Sequence, residues 1–148
     1  MEPALKLRTL LAATALAAFA TAAQADVIAE RKDIMDGVGN ATRTGTQMVR
    51  GQAPFDLEQA RNVLATYVNA AQVMPSLFPP GTETGGETSA APSIWENKAD
   101  FEQKFEAWGA EVSAVSGSVQ DLESFTASFG TATGSCRDCH EEYRVRTN

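Results

Sequence analysis

The chain is short of the residues that supply soft metal ligands. It has two cysteines and one histidine among 148 residues, and all three fall between Cys136 and His140. A structural zinc site takes four ligands, and the sequence has no second cysteine or histidine pair to complete one. The scarcity of these residues therefore argues against a zinc site.

Basic residues are also scarce. Lysine and arginine number 12 against 19 acidic residues, which gives a net charge of −7. Proteins that bind nucleic acid need clustered basic side chains against the phosphates, and no such cluster occurs here. We therefore expect no nucleic-acid partner, whereas the acidic surface favours solubility and a basic protein partner.

Long hydrophobic runs are missing as well. The longest, LAATALAAFA, is too short to span a bilayer, which takes about 20 residues. It comes after Lys6 and Arg8 and before a small-x-small site that ends at Ala25, the pattern of a secretory signal peptide. We predict a cleaved signal peptide over 1–25, export to the periplasm, and a mature domain over 26–148. An uncleaved N-terminal anchor is the alternative.

No stretch shows the alternation of a β-strand, whereas four stretches show the spacing of helices. The predicted helices run from about Asp26 to Arg50, from Asp56 to before Pro75, from near Ser93 to Ser116, and from Val119 to about Arg146 with a weak point at Thr131–Gly134. Residues 74–92, rich in proline and glycine, form the expected long connection between two hairpins. The predicted fold class is all-α: an antiparallel, up-down-up-down four-helix bundle.

The stretch Cys136-Arg137-Asp138-Cys139-His140 has the Cys-x-x-Cys-His spacing of covalent haem attachment. On a helix the two cysteines share a face, so each thiol can add to one haem vinyl group. His140 stays on that face, where its imidazole can bind the iron. A plain disulfide and a thioredoxin-like redox pair are the alternatives, but the latter belongs to a βαβ unit. The predicted cofactor is one covalent haem c on the last helix.

Other segments match one family in their order and spacing. They are Arg31–Met35 in the first helix, Gly51–Asp56 at the first turn, Phe78–Thr82 and Ala91–Trp95 around the long connection, and Tyr143-Arg144 after the histidine. With its attachment motif near the C-terminus, the chain resembles the class II c-type cytochromes, which comprise cytochrome c′ and its low-spin relatives. The resemblance covers Arg31–Arg144 and implies the same four-helix bundle.

The resemblance also places Met35 over the distal face of the haem. In low-spin members a methionine there binds the iron, whereas in cytochrome c′ the residue only crowds a five-coordinate iron. An ordinary core methionine is the third interpretation. The family's arginine at the position of Arg31 reaches a haem propionate, and a solvated helix arginine is the alternative.

The family resemblance implies a haem protein that is not an enzyme. We expect one-electron transfer, which sulfur ligation suits, with binding of nitric oxide or carbon monoxide at a five-coordinate haem as the alternative. Weak peroxidase activity is discounted because no distal histidine and arginine pair is visible. The expected partners are redox proteins, and family members often form a homodimer through the first two helices.

Overall fold

The chain folds into α-helices joined by turns and one long connection. The computed structural model describes residues 3–85 and 87–145, with side chains described from residue 26 onward. The helices are α1 (Pro3–Val49), α2 (Leu57–Val73), α3 (Ser93–Glu96), α4 (Lys98–Ser116), α5 (Leu122–Gly134) and α6 (Cys136–Tyr143), with a 3₁₀ helix at Met74–Leu77. No β-strand occurs in this part of the chain.

The predicted four-helix bundle is confirmed. Helix α2 packs against both α1 and α4, and α5 packs against α4 and α1, which closes a ring of four helices. Helices α5 and α6 together supply the fourth member, and only Ser135 separates them. The weak point predicted at Thr131–Gly134 is helical, and the interruption comes one residue later, at Ser135.

Local capping explains two helix starts. The carboxylate of Asp56 accepts a hydrogen bond from the Gln59 amide, so α2 begins at Leu57 as predicted. The predicted start of the last helix near Val119 is wrong. Helix α5 begins at Leu122 because Asp121 and Ser124 form a reciprocal capping box.

Helix α1 extends further toward the N-terminus than the predicted Asp26–Arg50. It is continuous from Pro3 and passes through the predicted cleavage position after Ala25, so the signal peptide stays a prediction. Among the described residues, no helix is both long and apolar enough to cross a membrane.

Two clusters of buried side chains fill the bundle. The turn-end cluster comprises Val38, Met48, Ala60, Val63, Leu64, Tyr67, Ala70, Val112, Val119, Phe125, Phe129 and Ala132. The loop-end cluster comprises Ala71, Met74, Leu77, Phe78, Ile94, Phe101, Phe105 and Tyr143. The long connection contributes Leu77 and Phe78 to the second cluster, so this stretch is anchored in the core rather than free.

Close packing of α1 on α5 depends on one glycine. Gly45 is buried, and a Cβ added there would overlap the ring of Phe129. We expect Gly45→Ala to destabilise the fold by about 1–3 kcal/mol, the usual cost of overpacking. Urea unfolding of the purified protein measures this change.

Gly39→Ala is the matched control in the same helix, since nothing lies within 4 Å of a Cβ placed there. It should stabilise α1 by up to about 1 kcal/mol, because alanine is the better helix former. Equal effects of the two substitutions would contradict the packing of Gly45 on Phe129.

Candidate functional site

Helix α6 carries the three residues of the attachment motif. Cys136 and Cys139 lie one turn apart, and both are half-buried free thiols. The plain disulfide is therefore not formed. His140 follows on the same turn with an exposed side chain. The helical placement predicted for Cys-x-x-Cys-His is thus present.

The surroundings of α6 alter the titration of these groups. Burial raises the pKa of both thiols, and the ammonium group of Lys104 partly opposes this at Cys139. The pKa of His140 is lowered by partial desolvation and then by the positive charge of Arg144. A lowered pKa favours the neutral imidazole, which is the form that binds a metal.

Met35 on α1 and Cys139 on α6 both pack against the loop-end cluster. Both are half-buried, and Ile34 and Trp108 pack against the same cluster. Both residues are thus associated with one buried cluster, while the distal role of Met35 stays a prediction.

This part of the structure fits a haem. It offers two free thiols one helical turn apart, an imidazole whose lowered pKa favours its neutral form, and apolar side chains that are only partly buried. A large apolar macrocycle would complete their burial. Among the described residues, no group of three histidine, cysteine, aspartate or glutamate side chains could hold a metal ion. The donor set therefore suits haem iron better than a free metal ion.

Arg31 is buried, with 4% of its surface exposed, so the interpretation as a solvated helix residue is wrong. Its two terminal nitrogens donate hydrogen bonds to the long connection: to the carbonyl oxygens of Leu77 (3.4 Å) and Thr82 (2.9 Å), and to the hydroxyls of Thr82 (3.3 Å) and Thr88 (2.7 Å). Its guanidinium carbon lies 4.8 Å from the ring centre of Phe78. Arg31 therefore fastens α1 to this connection, while its contact with a propionate stays a prediction.

Burial lowers the pKa of Arg31, and the nearby carboxylate of Glu83 partly opposes that effect. Hydrogen bonds to the carbonyl and hydroxyl oxygens, together with the stacked aromatic ring, compensate the buried charge.

The sequence patterns do not predict two polar pairs near the site. The hydroxyl of Tyr143 donates to Asp100 on α4, and Tyr67 shares a hydrogen bond of 2.7 Å with Thr42 on α1. Each joins residues at least 25 positions apart, which no local spacing reveals. The one sequence feature that indicates such a contact is Tyr143 itself, which follows His140 by one helical turn.

Comparison with known proteins agrees with this geometry. Residues 26–144 match the family described as cytochrome c′. A cytochrome c′ from Rhodopseudomonas palustris is 36% identical over 96% of this chain and 97% of its own. The solved structure of cytochrome c′ from that organism has a TM-score of 0.78 and 37% identity, covering 83% of this chain and 98% of the other.

Two further relatives are a cytochrome c-556 and a cytochrome c′ with bound nitric oxide. A cytochrome c-556 from Agrobacterium tumefaciens is 34% identical over 80% of this chain and 97% of its own. The other is a nitric oxide complex of a cytochrome c′ variant from Alcaligenes xylosoxidans. Its TM-score is 0.71 at 30% identity, covering 83% of this chain and 97% of that structure.

Removing the guanidinium of Arg31 should loosen the long connection. We expect Arg31→Met to lower the free energy of unfolding by about 2–4 kcal/mol, because several hydrogen bonds to a buried charged group are lost. Hydrogen exchange should also quicken at Thr82 and Thr88. Arg43→Met, at an exposed position of the same helix, is the control. Unchanged exchange in Arg31→Met would contradict the fastening role.

Both tyrosines should resist ionisation in the folded protein. Burial raises the pKa of Tyr67 to about 12, and it also raises that of Tyr143, helped by Asp100. The unfolded phenol titrates near 10. The stability contributed by Tyr67 is therefore complete below pH 10 and is lost as the pH rises toward 12.

Nuclear magnetic resonance of protein with ¹³C-labelled tyrosine rings checks this titration. In the folded protein, the ring carbon resonances of Tyr67 and Tyr143 should be unchanged at pH 10. In denaturant, the resonances of both tyrosines should shift at that pH. A tyrosine that titrates near 10 in the folded protein would contradict the buried hydrogen bonds.

Proposed function

The chain belongs to the cytochrome c′ family, and from that membership we propose that it carries single electrons through its haem in the periplasm. The family binds one covalently attached haem c. Members of the family are haem proteins rather than typical enzymes.

Each residue of the site has a proposed role. Cys136 and Cys139 would hold the haem through thioether bonds, and the His140 imidazole would bind its iron. Arg31 lies on the same helix as Met35, one turn earlier, and remains the candidate for a propionate contact. When bound, the haem supplies a one-electron iron couple.

The observation that carries electron transfer is the position of Met35. Met35 lies on α1, and its side chain packs against the cluster that Cys139 also contacts. A methionine sulfur opposite the histidine raises the reduction potential. Six-coordinate iron also keeps its geometry between oxidation states, which favours fast transfer. We therefore propose Met35 as the distal ligand.

A second candidate function has its own support. The nitric oxide complex of the related cytochrome c′ favours gas binding here if Met35 only lines the pocket. In that case nitric oxide or carbon monoxide would occupy the free position of a five-coordinate iron. The apolar neighbours Ile34 and Trp108 would exclude water and anions from that position.

The acidic composition, with a net charge of −7, favours redox partners that present a basic surface. A homodimer through α1 and α2 stays a prediction. The groove between these helices is lined by small and polar side chains, among them Gly37, Asn40, Thr44 and Asn62.

The visible spectrum of the purified holoprotein tests the distal ligand. We expect a low-spin spectrum with the iron–sulfur charge-transfer band, insensitive to carbon monoxide. Met35→Leu should abolish that band and open the iron to carbon monoxide, since leucine fills the space without a ligand atom. Measurement of the oxidised and reduced forms, with and without the gas, separates these states.

Met48→Leu is the matched control. Met48 is buried in the turn-end cluster, so its replacement should leave the spectrum unchanged. A wild-type spectrum that is high-spin and shifts on addition of carbon monoxide would overturn electron transfer through Met35 and establish the gas-binding alternative.

A further inference from the structure

Helix α6 is held very differently at its two ends. It begins after a break at Ser135, and no side chain caps its first turn. Its eight residues make a rod about 12 Å long. A single residue, Ser135, joins this rod to α5, so contacts of α6 with other elements help to fix its direction.

Those contacts gather at the C-terminal end of α6. The Tyr143 carbonyl accepts a hydrogen bond from the Ala91 amide (3.0 Å), and the Glu142 carbonyl accepts one from the Ser93 hydroxyl (2.8 Å). The Val145 amide donates to the Ser89 carbonyl (2.9 Å). These bonds all join the end of α6 to the segment around α3.

Tyr143 makes a side-chain hydrogen bond from α6 to α4. Its ring is buried, packs edge-on against Phe101 at 5.2 Å between centroids, and directs its hydroxyl to the Asp100 carboxylate. The ammonium group of Lys104 lies 3.6 Å from Asp100 and 3.4 Å from the Glu142 carboxylate. Lys104 thus forms an ion pair with Asp100, which accepts the hydrogen bond from Tyr143, and a second ion pair with Glu142 on α6.

We propose that the hydrogen bond from Tyr143 to Asp100 is the positioning contact that sets the direction of α6 and so the orientation of the His140 imidazole. This inference rests on the proposed ligation of haem iron by His140. His140 lies between Ser135 and Tyr143 on this helix. If α6 turns about Ser135, a movement of about 1 Å at Tyr143 therefore moves His140 by more than about 0.5 Å. Functional groups must be held within about 0.5 Å, so that displacement is large enough to matter.

Three substitutions separate the hydrogen bond from the charge. Tyr143→Phe keeps the packed ring and removes the donor. Asp100→Leu removes acceptor and charge, whereas Asp100→Asn keeps an oxygen acceptor and removes only the charge. Electron paramagnetic resonance of the ferric holoprotein reports the orientation of the imidazole, and the midpoint potential reports the charge.

We expect Tyr143→Phe and Asp100→Leu to broaden the ferric resonance lines, because the imidazole then samples several orientations. Asp100→Asn should keep narrow lines. Both Asp100 variants should raise the midpoint potential, since a negative charge near the haem is lost. Arg61→Met is the control: it removes a hydrogen bond from Arg61 to the Val119 carbonyl, outside the contacts of α6.

Lines in Tyr143→Phe that superimpose on the wild type would overturn the inference while the proposed function stands. Equal broadening in Asp100→Asn and Asp100→Leu, or broadening in Arg61→Met, would overturn it too, because charge or general loosening would then be the cause. A wild-type spectrum without imidazole ligation would instead refute the role of His140, and the inference with it.

Discussion

A buried guanidinium joins the two halves of this bundle. Arg31 reaches from α1 into the long connection between α2 and α3, where carbonyl and hydroxyl oxygens accept its hydrogen bonds. The same connection pairs with the end of the chain, since Ala90 and Arg144 form a β-bridge. The position of α6 is therefore linked through this loop to a charge on the first helix. An uncharged side chain of the same length would leave that loop without its central donor.

The cytochrome site illustrates how a small bundle serves a large cofactor. The two thiols and the imidazole lie on one short helix, while Met35, the proposed distal residue, lies on α1. Each half of the site is thus anchored by different contacts. Hydrogen bonds at the end of α6 hold the helix with the thiols, and packing against the loop-end cluster holds Met35.

Most of the features that could be predicted depend on residues that lie close together in the sequence. The Cys-x-x-Cys-His spacing, the Asp56 cap and the weak point before Cys136 are each set within a few residues, so the motif and the helices were found. The last helix starts at Leu122, later than the helical spacing near Val119 predicts, because the capping box of Asp121 and Ser124 fixes its first turn. The contacts of Arg31 with Thr82 and of Tyr143 with Asp100 span 51 and 43 positions. Only the packed fold brings such residues together, and helix spacing contains no information about them.

The loop-end cluster has a consequence for the order in which the chain folds. Its packing partners range from Val27 to Tyr143, nearly the full span of the predicted mature domain. The entropy lost in closing a loop grows with the separation of its ends, and long-range contacts slow folding. The hairpin of α1 and α2 can form from neighbouring segments as the chain emerges. Tyr143 emerges after every other member of this cluster, so the cluster becomes complete only once synthesis has passed that residue.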